Sequence, residues 1–177
     1  MQSGDSRAIE SLYITYFDRL YNLVFHSVKR NQAAAEDIVQ NVFVSAMKSA
    51  KGFKGQSKLY TWLVGIAHHK IADYYKGQKK EAYSYGSPMD ESRMGLLSIA
   101  GNSQSPVDEL ESAELRFVVL EALSILPLDY RQVLLLRYVE EMPVVEIGQV
   151  LNRSPKAIDG LLSRARKLLK ENISRNA

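Results

Sequence analysis

Three groups of residues in this sequence have the types and spacing to do chemistry. The first is residues 52–75, GFKGQSKLYTWLVGIAHHKIADYY. There a glycine-flanked basic loop, Lys54-Gly55-Gln56-Ser57-Lys58, leads into a segment mixing Tyr60, Trp62, Tyr74 and Tyr75 with His68, His69 and Lys70. Cations meet phosphates and aromatic rings stack on unpaired bases, so the composition suits a nucleic-acid strand. A plain loop followed by an amphipathic helix with Trp62 in its core has the same composition. The second group follows Asn152-Arg153, where Ser154 and Pro155 open a run carrying Lys156, Arg164, Arg166, Lys167 and Lys170. The third is Asp37, Gln40, Asn41 and Val44, spaced i, i+3, i+4, i+7 on one largely polar helix face. Such a strip is either solvated surface or a docking face for a partner helix.

Other chemistry is thinly represented. The chain has no cysteine, which removes disulfides, thiolate metal sites and a Cys nucleophile. His68 and His69 invite a metal reading, but adjacent helical residues point about 100° apart and do not easily share an ion. His26 is the one other histidine and no HExxH pattern exists, so neither a metal nor another cofactor is expected. No GxGxxG, P-loop or Ser/His/Asp layout is present, so the chain is not read as an enzyme. The N-terminal residues lack the basic-then-apolar order of a signal peptide. The apolar runs are too short to span a bilayer, and a cytoplasmic protein without membrane insertion is expected.

Charge is segregated. Residues 1–80 carry 12 basic and 6 acidic side chains, residues 81–115 carry 1 and 7, and residues 116–177 carry 10 and 7. Two basic blocks flanking an acidic one favour a polyanionic partner.

Helical periodicity accounts for both basic blocks. Ile9, Leu12, Tyr13, Tyr16, Phe17, Leu20, Leu23, Val24 and Val28 predict a helix over residues 6–30 capped by Asp5 or Ser6. Ile38, Val39, Val42, Phe43, Ala46 and Met47 predict a second over 32–51. Gly52 and Gly55 interrupt the pattern, and Ser57 can cap a third over 58–79 with Leu59, Leu63, Ile66, Ala67 and Trp62 inward. Residues 81–112 hold Gly, Ser and Pro with six acids, including Asp90 and Glu91, and only a small apolar island at 94–100. They read as a linker. Helices are expected at 107–125, ended by Pro127, and at 128–139. The segments 143–151 and 154–169 form a helix-turn-helix with Ile147, Val150, Leu151, Ile158, Leu161, Leu162, Ala165 and Leu168 inside. The fold class is therefore all-α: two small helical domains, 1–80 and 113–177, joined by a long acidic linker at 81–112.

These residues resemble a family, the extracytoplasmic-function (group IV) sigma factors of bacterial RNA polymerase. Ala35-Glu36-Asp37-Ile38-Val39-Gln40-Asn41-Val42-Phe43 is similar to its polymerase-docking helix, with Asn41 where a Glu is usual. Phe53-Lys54-Gly55, Leu59-Tyr60-Thr61-Trp62-Leu63 and Ile66-Ala67 resemble its −10 element reader. Leu126-Pro127, Glu146-Ile147 and Leu162-Ser163-Arg164-Ala165-Arg166 resemble its −35 reader.

The resemblance implies a subunit that binds core RNA polymerase, reads the −35 duplex and captures the melted −10 strand. A stand-alone helix-turn-helix regulator with a sensing or oligomerising N-terminal bundle is the alternative. Asp37, Gln40, Asn41 and Val44 would dock on core polymerase. Lys54, Gln56, Ser57 and Lys58 would take a flipped base, and Tyr60, Thr61, His69, Lys70, Asp73 and Lys76 would contact the rest of the −10 strand. At −35 the implied contacts are Ser154, Pro155, Lys156, Ala157, Asp159, Gly160, Ser163, Arg164, Arg166 and Lys167. Asp159 and Leu161 stand where basic residues are common, and a carboxylate there can accept from a cytosine amino group. The resemblance also implies an anti-sigma factor as a partner, and an acidic linker that runs near the RNA path.

Overall fold

The computed structural model describes the backbone of residues 3–84 and 106–176, with side chains over 10–79 and 115–175. The body of the linker, its apolar island and the acids Asp90 and Glu91 lie outside the described residues. All regular elements among the described residues are helical.

The N-terminal domain is built from α1 (Ser3–Ser27), α2 (Gln32–Ser49) and α3 (Leu59–Ser84). Helix α1 begins earlier than its caps suggested, so Asp5 and Ser6 lie inside it. Its aromatic residues sit at steps of four and stack along one side, Tyr13 on Phe17 at 4.7 Å, Phe17 on Tyr21 at 5.9 Å and Tyr21 on Phe25 at 5.8 Å. Asn31 caps α2 by accepting the Ala34 N–H at 3.0 Å. A 3-10 turn, Ala50–Gly52, ends that helix. Gly55 then takes φ +69°, a conformation that costs glycine little. Helix α3 starts one residue later than Ser57 would cap, with the Lys58 carbonyl accepting the Trp62 N–H. It also runs five residues past its expected end at 79, into the first residues assigned to the linker.

The C-terminal domain comprises α4 (Pro106–Ser124), α5 (Leu128–Leu134), α6 (Val144–Leu151) and α7 (Pro155–Asn176). The helix expected over 128–139 is α5 continued by a π-helical turn, Leu135–Val139, whose wider winding re-aims the chain before Glu140. Two features make the tight turn between α6 and α7. Asn152 ends α6 in the left-handed conformation at φ +51°. Gly148 lets the Arg153 carbonyl come close; a Cβ there would lie 2.6 Å from that oxygen.

One buried apolar cluster runs through both domains, from Leu20, Val24 and Leu63 to Leu135, Ile147 and Ile158. Helix α3 packs on α6, and α1 packs on α5 and on the π-helical turn. The two basic blocks, far apart in sequence, are therefore brought together.

Candidate nucleic-acid interface

The recognition helix α7 turns its apolar residues Ile158, Leu161, Leu162 and Ala165 into the core. Ser154 Oγ accepts the Ala157 N–H at 3.2 Å, the expected cap. Ser154, Pro155, Lys156, Ala157, Asp159, Ser163, Arg164, Arg166 and Lys167 are exposed and Gly160 is half-buried, so the ten predicted contacts lie on or beside one solvent-facing side. Such a face fits a major groove. Arg166 also reaches the Tyr138 hydroxyl at 3.4 Å.

The α2 strip is also together and open. Asp37, Gln40, Asn41 and Val44 are all exposed, while Ile38, Val39, Val42 and Phe43 on the other side are buried. Asn41 Nδ2 donates to the Asp37 carbonyl at 2.9 Å. An aromatic groove lined by Tyr13, Phe17, Tyr21 and Gln40 borders the strip.

The expected −10 reader is divided. Lys54, Gln56, Lys58, His69, Asp73 and Lys76 are exposed; Ser57 and Lys70 are half-buried. Trp62 is half-buried against Phe53, with ring centroids 4.9 Å apart, and so packs at the margin of the core. Tyr60 and Thr61, expected among the strand contacts, are instead buried, at 7% and 4% exposure. Helix α1 and the C-terminal domain cover Tyr60 together, and the C-terminal domain contributes a carboxylate to each residue. Tyr60 OH donates to Glu140 Oε2 at 2.9 Å, and its ring lies 4.1 Å beneath the Arg19 guanidinium. Arg19 itself pairs with Glu140 through Nε at 2.6 Å and with the Glu140 carbonyl through Nη2 at 3.0 Å. Thr61 Oγ1 donates to Glu146 Oε2 at 2.7 Å, and Lys58 Nζ meets the other oxygen of that carboxylate at 2.7 Å.

Charge follows from these contacts. The hydrogen bonds from Lys58 and Thr61 hold the Glu146 carboxyl below its usual range. Burial, with the Glu140 carboxylate beside it, pushes the Tyr60 phenol up, so it stays protonated and donates. Further along the contact Arg131 donates to the Ser27 carbonyl and the Tyr75 hydroxyl, and Arg30 pairs with Glu121. A void of only about 10 Å³, lined by Leu23, Val64, His68, Gln132 and Val150 among others, remains between the domains, too little for more than one water. Sequence reading missed Arg19, Arg131, Gln132 and Glu140 altogether. Tyr60, Val64, Ala67 and Ile71, at helical spacing, were the available signal that α3 has a second buried side.

His68 and His69 diverge. His69 is exposed, while His68 Nδ1 lies 3.0 Å from Gln132 Oε1 across the domain contact. Burial lowers the His68 pKa; the Gln132 bond and Asp129 oppose this, and His69 and Arg153 reinforce it. The packed arrangement thus favours neutral His68. Its contribution is complete above histidine's ordinary value near 6.5 and is lost as pH falls from there through the lowered value. The thermal midpoint is expected to drop between pH 7.5 and 5.5, and His68→Gln to make that dependence shallower. His26, half-buried in the N-terminal domain and lowered by desolvation and by Arg30, adds to the same dependence. An equally steep profile in the variant would remove His68 as a contributor.

Comparison with known proteins agrees with this layout. The family described as Sigma-70 region 2 matches residues 12–81, and Sigma-70, region 4 matches residues 116–169. The chain is 31% identical over 180 residues to the RNA polymerase sigma factor YlaC of Bacillus subtilis, covering 99% of this chain and 96% of that one. It is 28% identical over 174 residues to the ECF RNA polymerase sigma factor SigW of the same organism, covering 98% and 92%. In fold it resembles the sigma factor RpoE, solved with the anti-sigma factor NepR from Bartonella quintana. The TM-score is 0.76 at 19% identity, over 95% of this chain and 98% of that one. CnrH, solved with the cytosolic domain of CnrY, gives a TM-score of 0.68 at 23% identity, over 99% and 93%.

Proposed function

Since this chain belongs to the sigma-70 family, in its extracytoplasmic-function group, we propose that it binds core RNA polymerase through α2 and directs initiation with α3 at −10 and α7 at −35. As a sigma factor it directs promoter-specific transcription; the residue assignments are the proposal. One observation carries it: two region matches, in order, each fall on a domain that presents an exposed functional strip, α2 in one and α7 in the other. Residues 1–80 are the core-binding and −10 domain, and residues 113–177 the −35 domain. The chain works as a dissociable subunit, with catalysis left to the polymerase, and acts where polymerase acts, in the cytoplasm. Among the described residues no helix is long and apolar enough to cross a membrane. The fold neighbour RpoE, solved with the anti-sigma factor NepR, supports an anti-sigma protein as a regulator of this chain too.

At −35, Lys156 and Asp159 sit exposed on the first turns of α7, where a recognition helix meets base edges. Run-off transcription with core polymerase on a promoter library, with start sites sequenced, tests the function and yields the motif. Asp159→Ala is expected to relax preference at one −35 position, a discrimination of about 1–3 kcal/mol. Lys156→Ala is expected to weaken all sites alike if it meets phosphate. Failure to initiate on any member of the library would reject the sigma reading.

A further inference from the structure

A glycine inside a helix weakens it relative to alanine, because it has more backbone freedom to lose. Gly148 in α6 has a reason within the fold, the Arg153 carbonyl oxygen that would lie 2.6 Å from a Cβ. Gly160 in α7 has none. Its backbone is ordinary right-handed helix. Its own helix backbone aside, the one atom within 4 Å of an added Cβ is Arg164 Nη2 at 3.9 Å, a normal contact distance. Alanine would fit there and strengthen the helix. Gly160 is half-buried, on the side of α7 opposite the core residues Ile158 and Leu162. What reaches over it is the side chain one turn later. Long helical side chains run back toward the N-terminus, and the exposed Arg164 does so until its guanidinium sits above the bare Cα. Over Gly65 and Gly77 in α3 nothing lies so close.

That guanidinium is uncommitted. Arg153 pairs with Asp129 and Arg166 reaches Tyr138, whereas the Arg164 side chain has no hydrogen bond or ion pair among the described residues. The same holds for the Asp159 carboxylate beside the glycine. Recognition helices meet base edges with their N-terminal residues. Arg164 belongs to the third turn of α7, but leaning over Gly160 brings its planar fork of donors level with the second. Such a fork matches the O6 and N7 acceptors of guanine, and a carboxylate accepts from the amino group of cytosine. We propose that Gly160 and Arg164 form one base-reading unit of the −35 site. The bare Cα at 160 is the bed on which the Arg164 fork lies to take a guanine, while Asp159 takes a cytosine at another position. The inference rests on the −35 reading of α7 and adds the base that this unit selects. It also makes Gly160 a positioning residue, acting through Arg164.

The test uses the full chain with core polymerase on a library randomised across the −35 element, scored by run-off transcript counts for each base at each position. Arg164→Ala is expected to lower the preference for guanine at one position about tenfold, the loss of one bidentate contact. Gly160→Leu fills the bed and is expected to lose the preference at that same position by a similar factor. Gly160→Ala, whose Cβ meets the guanidinium at ordinary contact distance, should keep it within about threefold. Combining Arg164→Ala with Gly160→Leu should lose no more than Arg164→Ala alone, as residues acting as one unit are not additive. Removing a glycine from a helix interior does not weaken the helix, so a lost preference in Gly160→Leu reports the site and not the fold. A uniform loss over all promoters in Arg164→Ala would make that residue a phosphate contact and overturn the proposal. So would a lost preference for a base other than guanine. Gly160→Leu leaving the guanine preference intact, or weakening every promoter alike, would break the unit. A parent chain indifferent to the −35 sequence would reject the −35 reading itself, and this unit with it.

Discussion

Arg131→Met is expected to lower the thermal midpoint of the chain by roughly 10 °C, a large effect for one substitution. Arg131 is 2% exposed, and its guanidinium bonds to carbonyls and a phenol rather than to a carboxylate. In doing so it closes the ends of two helices. Nη1 donates to the Ser27 carbonyl at the end of α1 at 2.6 Å and to Tyr75 OH at 3.0 Å. Nη2 donates to the carbonyls of Ser124 at 2.9 Å and Leu126 at 2.8 Å, and Nε to Leu123 at 3.1 Å. The last carbonyls of a helix have no partner within it. Methionine fills the volume but leaves several of these oxygens buried without a donor, at about 1–3 kcal/mol each before relaxation. A net loss of about 3–5 kcal/mol follows, or roughly 2–4 °C per kcal/mol for a chain this size. Arg131→Lys should recover only part, because an ammonium has three donors and no planar fork. A scanning-calorimetry shift below 3 °C for the methionine variant would show that the network adds little.

The second large effect is on affinity and leaves stability alone. Asp37→Lys combined with Val44→Glu is expected to weaken binding to core polymerase about 100-fold, since two central interface residues together contribute about 3 kcal/mol. Both side chains are exposed on α2, and the core beneath is made by Ile38, Val39, Val42 and Phe43. The midpoint of unfolding should therefore move by less than 2 °C. Anisotropy of a dye-labelled chain titrated with core polymerase gives the affinity. Binding within threefold of the parent would reject the strip as the docking surface.

Much of the architecture is legible in the amino-acid sequence. A period of 3.6 is a local property, so α1, α2, α6 and α7 fall close to where their apolar residues place them. The cap at Ser154 and the stop at Gly52 follow from the same local chemistry. The α2 strip and the α7 face are legible as well, because an exposed polar residue on an amphipathic helix stays exposed when little packs over it. Boundaries drift where local signals are weak. Helix α3 continues through Gly77 to Ser84, and the π-helical turn before Glu140 leaves no mark in the hydrophobic pattern.

The loop and helix at residues 52–75 show where sequence reasoning stops. Residue type and spacing determined a basic, glycine-relieved loop leading into a helix with polar and aromatic groups on several sides. They also determined that Lys54, Gln56 and Lys58 would be solvent-facing. The tertiary structure alone decided that Tyr60 and Thr61 are covered, and that Glu140 and Glu146, about 80 residues away in the chain, accept their hydroxyls. The reason is physical. Periodicity records which side of a helix avoids water, and a hydroxyl or phenol can face either water or a buried carboxylate at similar free energy. The choice between them is made by whichever distant group arrives, and that depends on how two domains pack.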